Sequence, residues 1–197
     1  MKIVDCKAIR EEILAEVKAQ VEQLDYTPQI HIISIGEDKA SETYINNKIK
    51  TAKEVGIEAH HYHLDGDMIQ PQVELAIMNI AQEKQGAIML QLPIPKHLDE
   101  NKLIGYIPQY KDVDGLTSMN MGMLTQGNKD AIIPATANAC YHVIKKAFGE
   151  DLSGLNVTVV NRSKLIGQPL QALLTNHNAT ATLCHSKTRN LHVPMIK

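Results

Sequence analysis

The sequence lacks four features that would assign it to a specialised class of protein. It has no excess of basic charge, because 20 Lys and Arg against 22 Asp and Glu give a formal net charge of -2, spread along the chain. It has no apolar run near the ~18 residues of a membrane span. Its start, MKIVDCKAIREEIL, places charges where a signal peptide needs an apolar core. Three distant cysteines, Cys6, Cys140 and Cys184, without C-x-x-C, indicate reduced thiols and no disulfide framework. We therefore expect a cytoplasmic protein that binds neither nucleic acid nor membranes.

The length and the apolar content allow a real hydrophobic core. With 197 residues, 44% of them hydrophobic, the chain has room for one large domain or two small ones. Short apolar runs alternate with helical spacings, which is typical of an α/β fold with a parallel sheet. The stretch 119–124 gives little signal. We predict strands at 30–35, 58–64, 87–92, 156–160 and 180–184, and helices at 9–24, 41–55, 71–85, 99–107, 137–148 and 166–177.

Polar residues stand at positions where a parallel sheet binds ligands, beyond the carboxyl ends of its strands. Gln91 ends the third predicted strand, and the turn 111–115 (KDVDG) carries Asp112 and Asp114 before a glycine suited to positive φ. A simpler interpretation is open for each: Gln91 bonded to its own loop, and aspartates that cap backbone amides. For Asp112 we favour the capping role, and for Gln91 the residues alone also favour the simpler interpretation.

The predicted helix 41–55 supplies a second set of polar residues. Ser41 is its expected N-cap, and Tyr44 and Lys48, four residues apart, share one face. For an arbitrary pair of this kind, an ordinary solvated helix surface would be the favoured explanation. Lys50 and Lys53, however, already provide a solvated face, so Tyr44 and Lys48 are available for a pocket wall.

Five motifs, in order along the chain, resemble those of the bifunctional methylenetetrahydrofolate dehydrogenase/cyclohydrolase family. They are YINNKIKTAKEVGI at 44–57, QLPIP at 91–95, KDVDGL at 111–116, NRSKLIGQP at 161–169 and CHSKT at 184–188. The resemblance implies a parallel-sheet α/β catalytic domain at 1–133 and a partial Rossmann-like nucleotide-binding domain at 134–197. It also implies a folate substrate, NADP in preference to NAD, a homodimer and a place in one-carbon metabolism, which supplies purine biosynthesis.

The implied reaction has two steps in one cleft. Methylenetetrahydrofolate is oxidised to the methenyl form, which is then hydrolysed to 10-formyltetrahydrofolate. In the family, the residue matching Lys48 transfers protons, and the one matching Tyr44 stacks against the folate. A lysine base must be kept from permanent charge, so the neutral amide of Gln91 is a suitable positioner. Asp114 is expected to accept two hydrogen bonds from the pterin edge.

The nucleotide side departs from the family pattern. The general G-x-G-x-x-G is absent, and Asn161 replaces a glycine, although asparagine tolerates left-handed backbone conformations. The segment 134–139 (PATANA) also lacks the family's second proline and following glycine. Cofactor-binding residues carried over by the resemblance are Arg162, Ser163, Ile166, Gly167, Ser186 and Thr136. The turn at 161–167 is expected to hold a phosphate on backbone amides at the helix start.

The third departure from the family pattern is the small size of the nucleotide-binding domain. A dinucleotide-binding half needs about three strands, and only two are predicted here. We therefore expect either a fragment or a degenerate domain covered by another copy. Two alternatives to the full reaction are open: a cyclohydrolase without the redox step, and a non-catalytic folate-binding remnant.

Two clusters of chemically active side chains receive no functional role. His60, His61 and His63 are expected to be surface residues, with His61 on the opposite face from the other two, and no metal site is predicted. Met119, Met121 and Met123 are expected to fill a core.

Overall fold

The computed structural model describes residues 3–192, which form two compact units. The first unit is Lys7–Val113, and the second runs from Asp114 onward and includes the N-terminal residues up to Cys6. Both contain parallel strands, so the predicted α/β class is confirmed. The predicted boundary at 133/134, which divides binding functions, stays a prediction.

The helices are α1 (Cys6–Val21), α2 (Lys39–Glu54), α3 (Gln70–Glu83), α4 (Glu100–Gly105), α5 (Ser118–Thr125), α6 (Ala135–Phe148) and α7 (Gly167–Asn176), and the strands are β1 (Gln29–Ile35), β2 (Glu58–Leu64), β3 (Ala87–Leu90), β4 (Asn156–Val160) and β5 (Thr180–Cys184).

The first unit is built on a three-stranded parallel sheet in the order β2-β1-β3. The β-branched run of β1 takes the central position, where its last five residues are buried. Ile33 pairs with Tyr62 of β2 and with Leu90 of β3. Because all three strands run the same way, their carboxyl ends share one edge of the sheet.

Helix α2 covers one face of this sheet. Ile45 of α2, Ile32 of β1 and Met89 of β3 form a buried cluster. The helix begins after Asp38, whose carboxylate accepts hydrogen bonds from the Ser41 amide at 2.9 Å and its hydroxyl at 2.6 Å. The prediction that Ser41 is the N-cap was therefore wrong: the aspartate three residues earlier competes better for the free amides of the first turn.

The loop after α4 is tied to both α3 and β3. Lys111 Nζ donates to the carbonyl oxygens of Ala81 at 2.7 Å and Lys84 at 2.6 Å, which satisfies carbonyls at the end of α3. The Val113 amide donates to Ile88 O at 3.3 Å, beside a parallel bridge between Ile88 and Asp112. These bonds fix the first half of the KDVDG turn against the third strand.

The second unit packs its helices against a two-stranded parallel sheet, β4-β5. Val159, Leu173 and Leu174 lie in its core with Tyr141 and Leu152. The side-chain amide of Asn176 donates to Leu124 O at 2.7 Å, joining α7 to the end of α5. The predicted strand–helix–strand order of this unit is confirmed.

Three local predictions need correction. The third strand stops at Leu90 rather than at residue 92, because Pro93, which follows closely, has no amide hydrogen to donate to a neighbouring strand. Helix α5, capped by the Thr117 side chain, was not predicted, since its methionines recur every second residue and not at helical spacing. Met119 is 62% exposed and is not core filler.

Within residues 3–192, every helix is too short or too polar to cross a lipid bilayer.

Candidate functional site

The end of β3 and helix α2 bring Lys48 and Gln91 into direct contact. The backbone amide of Gln91 donates to Ile33 O at 2.7 Å, so the backbone of this residue stays in line with β3. Its side chain shares a strand face with Met89, two residues earlier. Lys48 Nζ, from α2, donates to Gln91 Oε1 at 3.0 Å. The structure thus joins two of the residues that the sequence selected from segments far apart.

The orientation of the Gln91 amide follows from its other hydrogen bond. Its Nε2 donates to Leu92 O at 2.6 Å, so its oxygen must face Lys48. Gln91 is only 8% exposed, so solvent competes little for the amide. The simpler interpretation, a strand end bonded to its own loop, accounts for the Nε2 atom of Gln91. The contact with Lys48 accounts for the Oε1 atom.

Tyr44 lies one helical turn before Lys48 and is 64% exposed. An aromatic ring this accessible can stack on a flat heterocycle, whereas a buried tyrosine could not. Its predicted role against the folate stays a prediction.

The two aspartates of the KDVDG turn differ in burial. Asp112 is 2% exposed, whereas Asp114 is half-buried and opens the second unit. The predicted positive φ of Gly115 is confirmed at 65°, and a Cβ there would lie 2.2 Å from Ile132 O, so only glycine fits. The pterin-binding role of Asp114 and the capping role of Asp112 stay predictions.

A polar cavity that the sequence did not predict opens at the ends of β1 and β2. Its volume is about 500 Å³, and its lining consists of Gly36, Glu37, His63, Asp65, Gly66 and Asp67. Gly36 and Gly66 approach so closely that a Cβ on Gly66 would lie 3.0 Å from Gly36 Cα. The acidic lining disfavours an anionic ligand group at this place.

The prediction that His61 faces away from both neighbouring histidines was wrong. Alternation along β2 puts His61 and His63 on one face, where Ser34 Oγ bonds His61 Nε2 at 2.8 Å and His63 Nδ1 at 3.3 Å. Burial, and then the charge of His63, lower the pKa of His61. Although the His61 ring is partly covered by its neighbours, His61 and His63 are exposed, as expected, whereas His60 is half-buried. Across residues 3–192, no three His, Cys, Asp or Glu side chains are arranged to hold a metal ion.

The predicted nucleotide turn between β4 and α7 closes on itself. Asn161 Oδ1 accepts from the Ser163 amide at 2.7 Å, and Ser163 Oγ accepts from the Ile166 amide at 3.1 Å. A Cβ on Gly167 would lie 1.9 Å from Asn161 O, so the turn requires glycine there. Asn161 does not use the left-handed conformation that asparagine tolerates: its side chain closes the turn instead.

Arg162, Ser186 and Thr136 are exposed. Arg162 and Ser186 follow the carboxyl ends of β4 and β5, which lie side by side. Thr136 lies in the first turn of α6. The cofactor roles of all three stay predictions.

The fold and this geometry define a class: a parallel-sheet α/β protein whose first unit carries a lysine–amide pair at the carboxyl edge of its sheet. Two family models match the chain: the catalytic domain of tetrahydrofolate dehydrogenase/cyclohydrolase over residues 4–114, and the NAD(P)-binding domain of the same enzyme over residues 134–196. The chain belongs to the tetrahydrofolate dehydrogenase/cyclohydrolase family.

Individual relatives agree with this assignment. The bifunctional protein FolD 1 of Acinetobacter baylyi is 39% identical over 194 residues, which cover 96% of this chain and 65% of that protein. The FolD crystal structure from Campylobacter jejuni superimposes with a TM-score of 0.90 at 30% identity, over 95% of this chain and 67% of that one. The Trypanosoma brucei enzyme, complexed with NADP cofactor and inhibitor, superimposes with a TM-score of 0.87 at 29% identity. This superposition covers 95% of this chain and 65% of that one. The chain therefore spans about two thirds of the length of these relatives.

Proposed function

We propose that this protein oxidises 5,10-methylenetetrahydrofolate with NADP and hydrolyses the resulting 5,10-methenyltetrahydrofolate to 10-formyltetrahydrofolate. The observation that carries the proposal is the 3.0 Å hydrogen bond from Lys48 Nζ to Gln91 Oε1 in a member of this family. Folate binding and proton transfer are assigned to residues 1–133, and nucleotide binding to residues 134–197.

In the hydrolytic step, Lys48 acts as general base and then as general acid. A water molecule attacks the methenyl carbon and gives a proton to the Lys48 amine, so a carbon–oxygen bond forms. Lys48 then protonates the ring nitrogen whose bond to that carbon breaks, while the new hydroxyl loses its proton and becomes the formyl oxygen. One proton is released overall. Gln91 orients the amine with a neutral oxygen, which favours the charged ammonium less than a carboxylate would.

Two further side chains are assigned to the folate itself. Tyr44 offers an exposed ring for stacking on the pterin or on the aminobenzoyl group. Asp114 is assigned to the pterin edge, where a carboxylate accepts two parallel N–H bonds. Neither role depends on the redox step, so both belong equally to a hydrolase.

The dehydrogenase step needs a bound dinucleotide, which would supply the acceptor for a hydride from the methylene carbon. The tight turn around Gly167 fits such a group, because only glycine permits the close approach of helix and strand at this place. Arg162, exposed in the same turn, is assigned to the ribose 2′-phosphate of NADP, with Ser163 beside it. Ile166 and Gly167 supply the start of α7, and Ser186 and Thr136 complete the proposed set.

A second candidate function is hydrolysis without oxidation. The amides of Ser163 and Ile166, which a phosphate would use, already donate within the turn at 2.7 Å and 3.1 Å. A phosphate must then compete with internal acceptors, which weakens dinucleotide binding. This observation concerns only the second unit and leaves the Lys48–Gln91 pair intact.

The setting of the reaction is also part of the proposal. We assign the protein to one-carbon metabolism that feeds purine biosynthesis, in the cytoplasm, as a homodimer. The three free cysteines support a reducing compartment.

The first prediction is that Lys48→Met abolishes hydrolysis. Loss of a general acid–base should lower kcat for methenyltetrahydrofolate at least about 100-fold, measured as loss of methenyl absorbance. Lys50→Met, in the same helix but exposed, is the matched control and should keep wild-type kcat.

The same preparation separates the two candidates. Adding methylenetetrahydrofolate and NADP should yield NADPH if both steps are present. Hydrolysis without NADPH would assign the chain to the second candidate. Equal, background-level turnover by wild type and Lys48→Met would refute both and leave a folate-binding protein.

A further inference from the structure

Besides Gln91, Lys48 has a second hydrogen-bond partner, Met89 of β3. Side chains alternate along a strand, so Met89 and Gln91 lie on one face while Ile88 and Leu90 lie on the other. The face with Met89 is the one that α2 covers, because Met89 packs in a cluster with Ile45. Met89 therefore lies under the helix that carries Lys48.

The contact is direct. Lys48 Nζ lies 3.6 Å from Met89 Sδ, within the range of a hydrogen bond to sulfur. The same nitrogen is 3.0 Å from Gln91 Oε1, so two acceptors, one in β3 and one directly after its end, flank the amine. Met89 is 4% exposed, and solvent therefore cannot easily replace its sulfur.

We propose that Met89 is a positioning residue for Lys48. The thioether sulfur of Met89 and the side-chain oxygen of Gln91 together hold the Lys48 amine at the strand end. The inference rests on the proposed role of Lys48 in proton transfer and adds a second positioning group to it.

The chemistry of sulfur suits this task. A lysine side chain has four flexible carbons and three donors, so a single acceptor leaves the amine free to rotate about that bond. A second acceptor restricts its direction. A thioether is a weak, uncharged acceptor, so it restricts the amine without favouring the ammonium as a carboxylate would. A leucine of similar size would fill the cavity but could not accept the bond.

The experiment compares Met89→Leu with Met78→Leu, a matched substitution on α3 in the same unit. Methionine-to-leucine changes conserve volume, and thermal unfolding verifies that both variants fold. Each protein is treated briefly with trace acetic anhydride, and acetylation of Lys48 relative to the exposed Lys50 is measured by peptide mass spectrometry. This readout requires no enzymatic activity.

We expect Met89→Leu to raise the Lys48-to-Lys50 acetylation ratio about threefold or more, because a released amine reaches solvent more often. Met78→Leu should leave the ratio unchanged. In the hydrolysis assay, Met89→Leu should lower kcat about three- to tenfold, which is what the loss of one hydrogen bond costs. KM should change less than about twofold, since the substrate contacts remain.

An unchanged acetylation ratio in Met89→Leu overturns the inference, and so does a raised ratio with wild-type kcat in a protein that hydrolyses methenyltetrahydrofolate. If the wild-type chain has no hydrolase activity, the proposed function fails, whereas a raised ratio still establishes that Met89 holds the amine.

Discussion

Single residues decide the protonation chemistry of the proposed site. Lys48 has two neutral acceptors within reach, an amide oxygen at 3.0 Å and a thioether sulfur at 3.6 Å. The amide is fixed by its own bond to Leu92 O. A general base at neutral pH requires such partners, because a carboxylate in place of the amide would hold the lysine charged.

The second prediction tests this requirement directly with Gln91→Glu. A carboxylate at 91 should favour the ammonium of Lys48, so the pH at which hydrolysis reaches half its maximal rate should move upward and kcat at pH 7 should fall about tenfold or more. The measurement is kcat against pH from 6 to 9.5.

Gln91→Met is the companion variant, since it removes the acceptor without adding charge. It should lower kcat with little change in the pH profile. Identical profiles for the glutamate variant and wild type would mean that Gln91 does not control the charge of Lys48.

The third prediction concerns His31, which is 1% exposed in the central strand. Its Nε2 is 2.6 Å from Gln85 O, and its ring stacks on His60 with centroids 5.1 Å apart. Burial lowers the pKa of His31 from its usual 6.5; the contact with Gln85 raises it, and the charges of His60, Lys84 and Lys111 lower it further. Because the folded pKa lies below the unfolded one, the unfolded chain takes up the proton first as pH falls below about 6.5.

Acidification should therefore favour unfolding, and His31→Gln should reduce the fall in the free energy of unfolding between pH 7 and pH 5. Urea titrations at three pH values measure how the free energy of unfolding changes with pH in each protein. His97→Gln, at an exposed position, is the control and should keep the wild-type slope. Equal slopes in wild type and His31→Gln would contradict the prediction.

At the scale of helices and strands, most elements were predictable because they carry their own local signals. The β-branched run of β1, the positive φ of Gly56 and Gly86 beyond helix ends, and the alternation of strand and helix all lie in short stretches of sequence. Helix α5 carries no such signal: its methionines recur every second residue, and the helix is stabilised by the Thr117 cap and by burial of Asn120 and Leu124. The cap is a local interaction, but Leu124 is buried by contacts with other elements of the second unit, which spacing along the chain does not show.

The fourth prediction tests the turn from β4 to α7. Gly167→Ala would place a Cβ 1.9 Å from Asn161 O, so strand and helix must separate. We expect a loss of at least about 2 kcal/mol in the free energy of unfolding and weaker binding of NADP.

Gly122→Ala is the matched control, because nothing lies within 4 Å of a Cβ there and the residue is inside a helix. It should be neutral or stabilise by up to about 1 kcal/mol. Similar stabilities for the two alanine variants would show that the turn yields easily and that glycine is not required.

At the scale of the whole molecule, each compact unit has its own sheet and its own core. The proposed hydrolytic pair lies entirely in the first unit, and the proposed nucleotide turn entirely in the second. This separation is what lets oxidation and hydrolysis be tested independently.

The fifth prediction uses that separation. Under the full proposal, NADP should slow amide hydrogen exchange in 161–168, and methenyltetrahydrofolate should slow it in the segment that follows β3. Mass spectrometry of peptic peptides measures both. Protection by methenyltetrahydrofolate alone would favour hydrolysis without oxidation, and protection by neither would contradict folate binding as well.

The sequence by itself determined which residues deserved attention. Tyr44, Lys48, Gln91 and Asp114 stand in motifs whose residue types match the proposed chemistry, and the alternation of elements indicated a parallel sheet. It also pointed to Gly115, whose positive φ is confirmed. These are local properties, encoded in spacing and in the conformational limits of individual residues.

Only the tertiary structure decided which of these residues meet. The strand order β2-β1-β3 and the packing of α2 on β3 bring Lys48 to Gln91, and the same packing adds Met89 as a partner that no motif announced. The tertiary structure also joined His61 to His63 through Ser34 and closed the proposed nucleotide turn with Asn161. Spacing along a chain specifies which face a side chain takes, whereas contacts between distant segments depend on how whole elements pack.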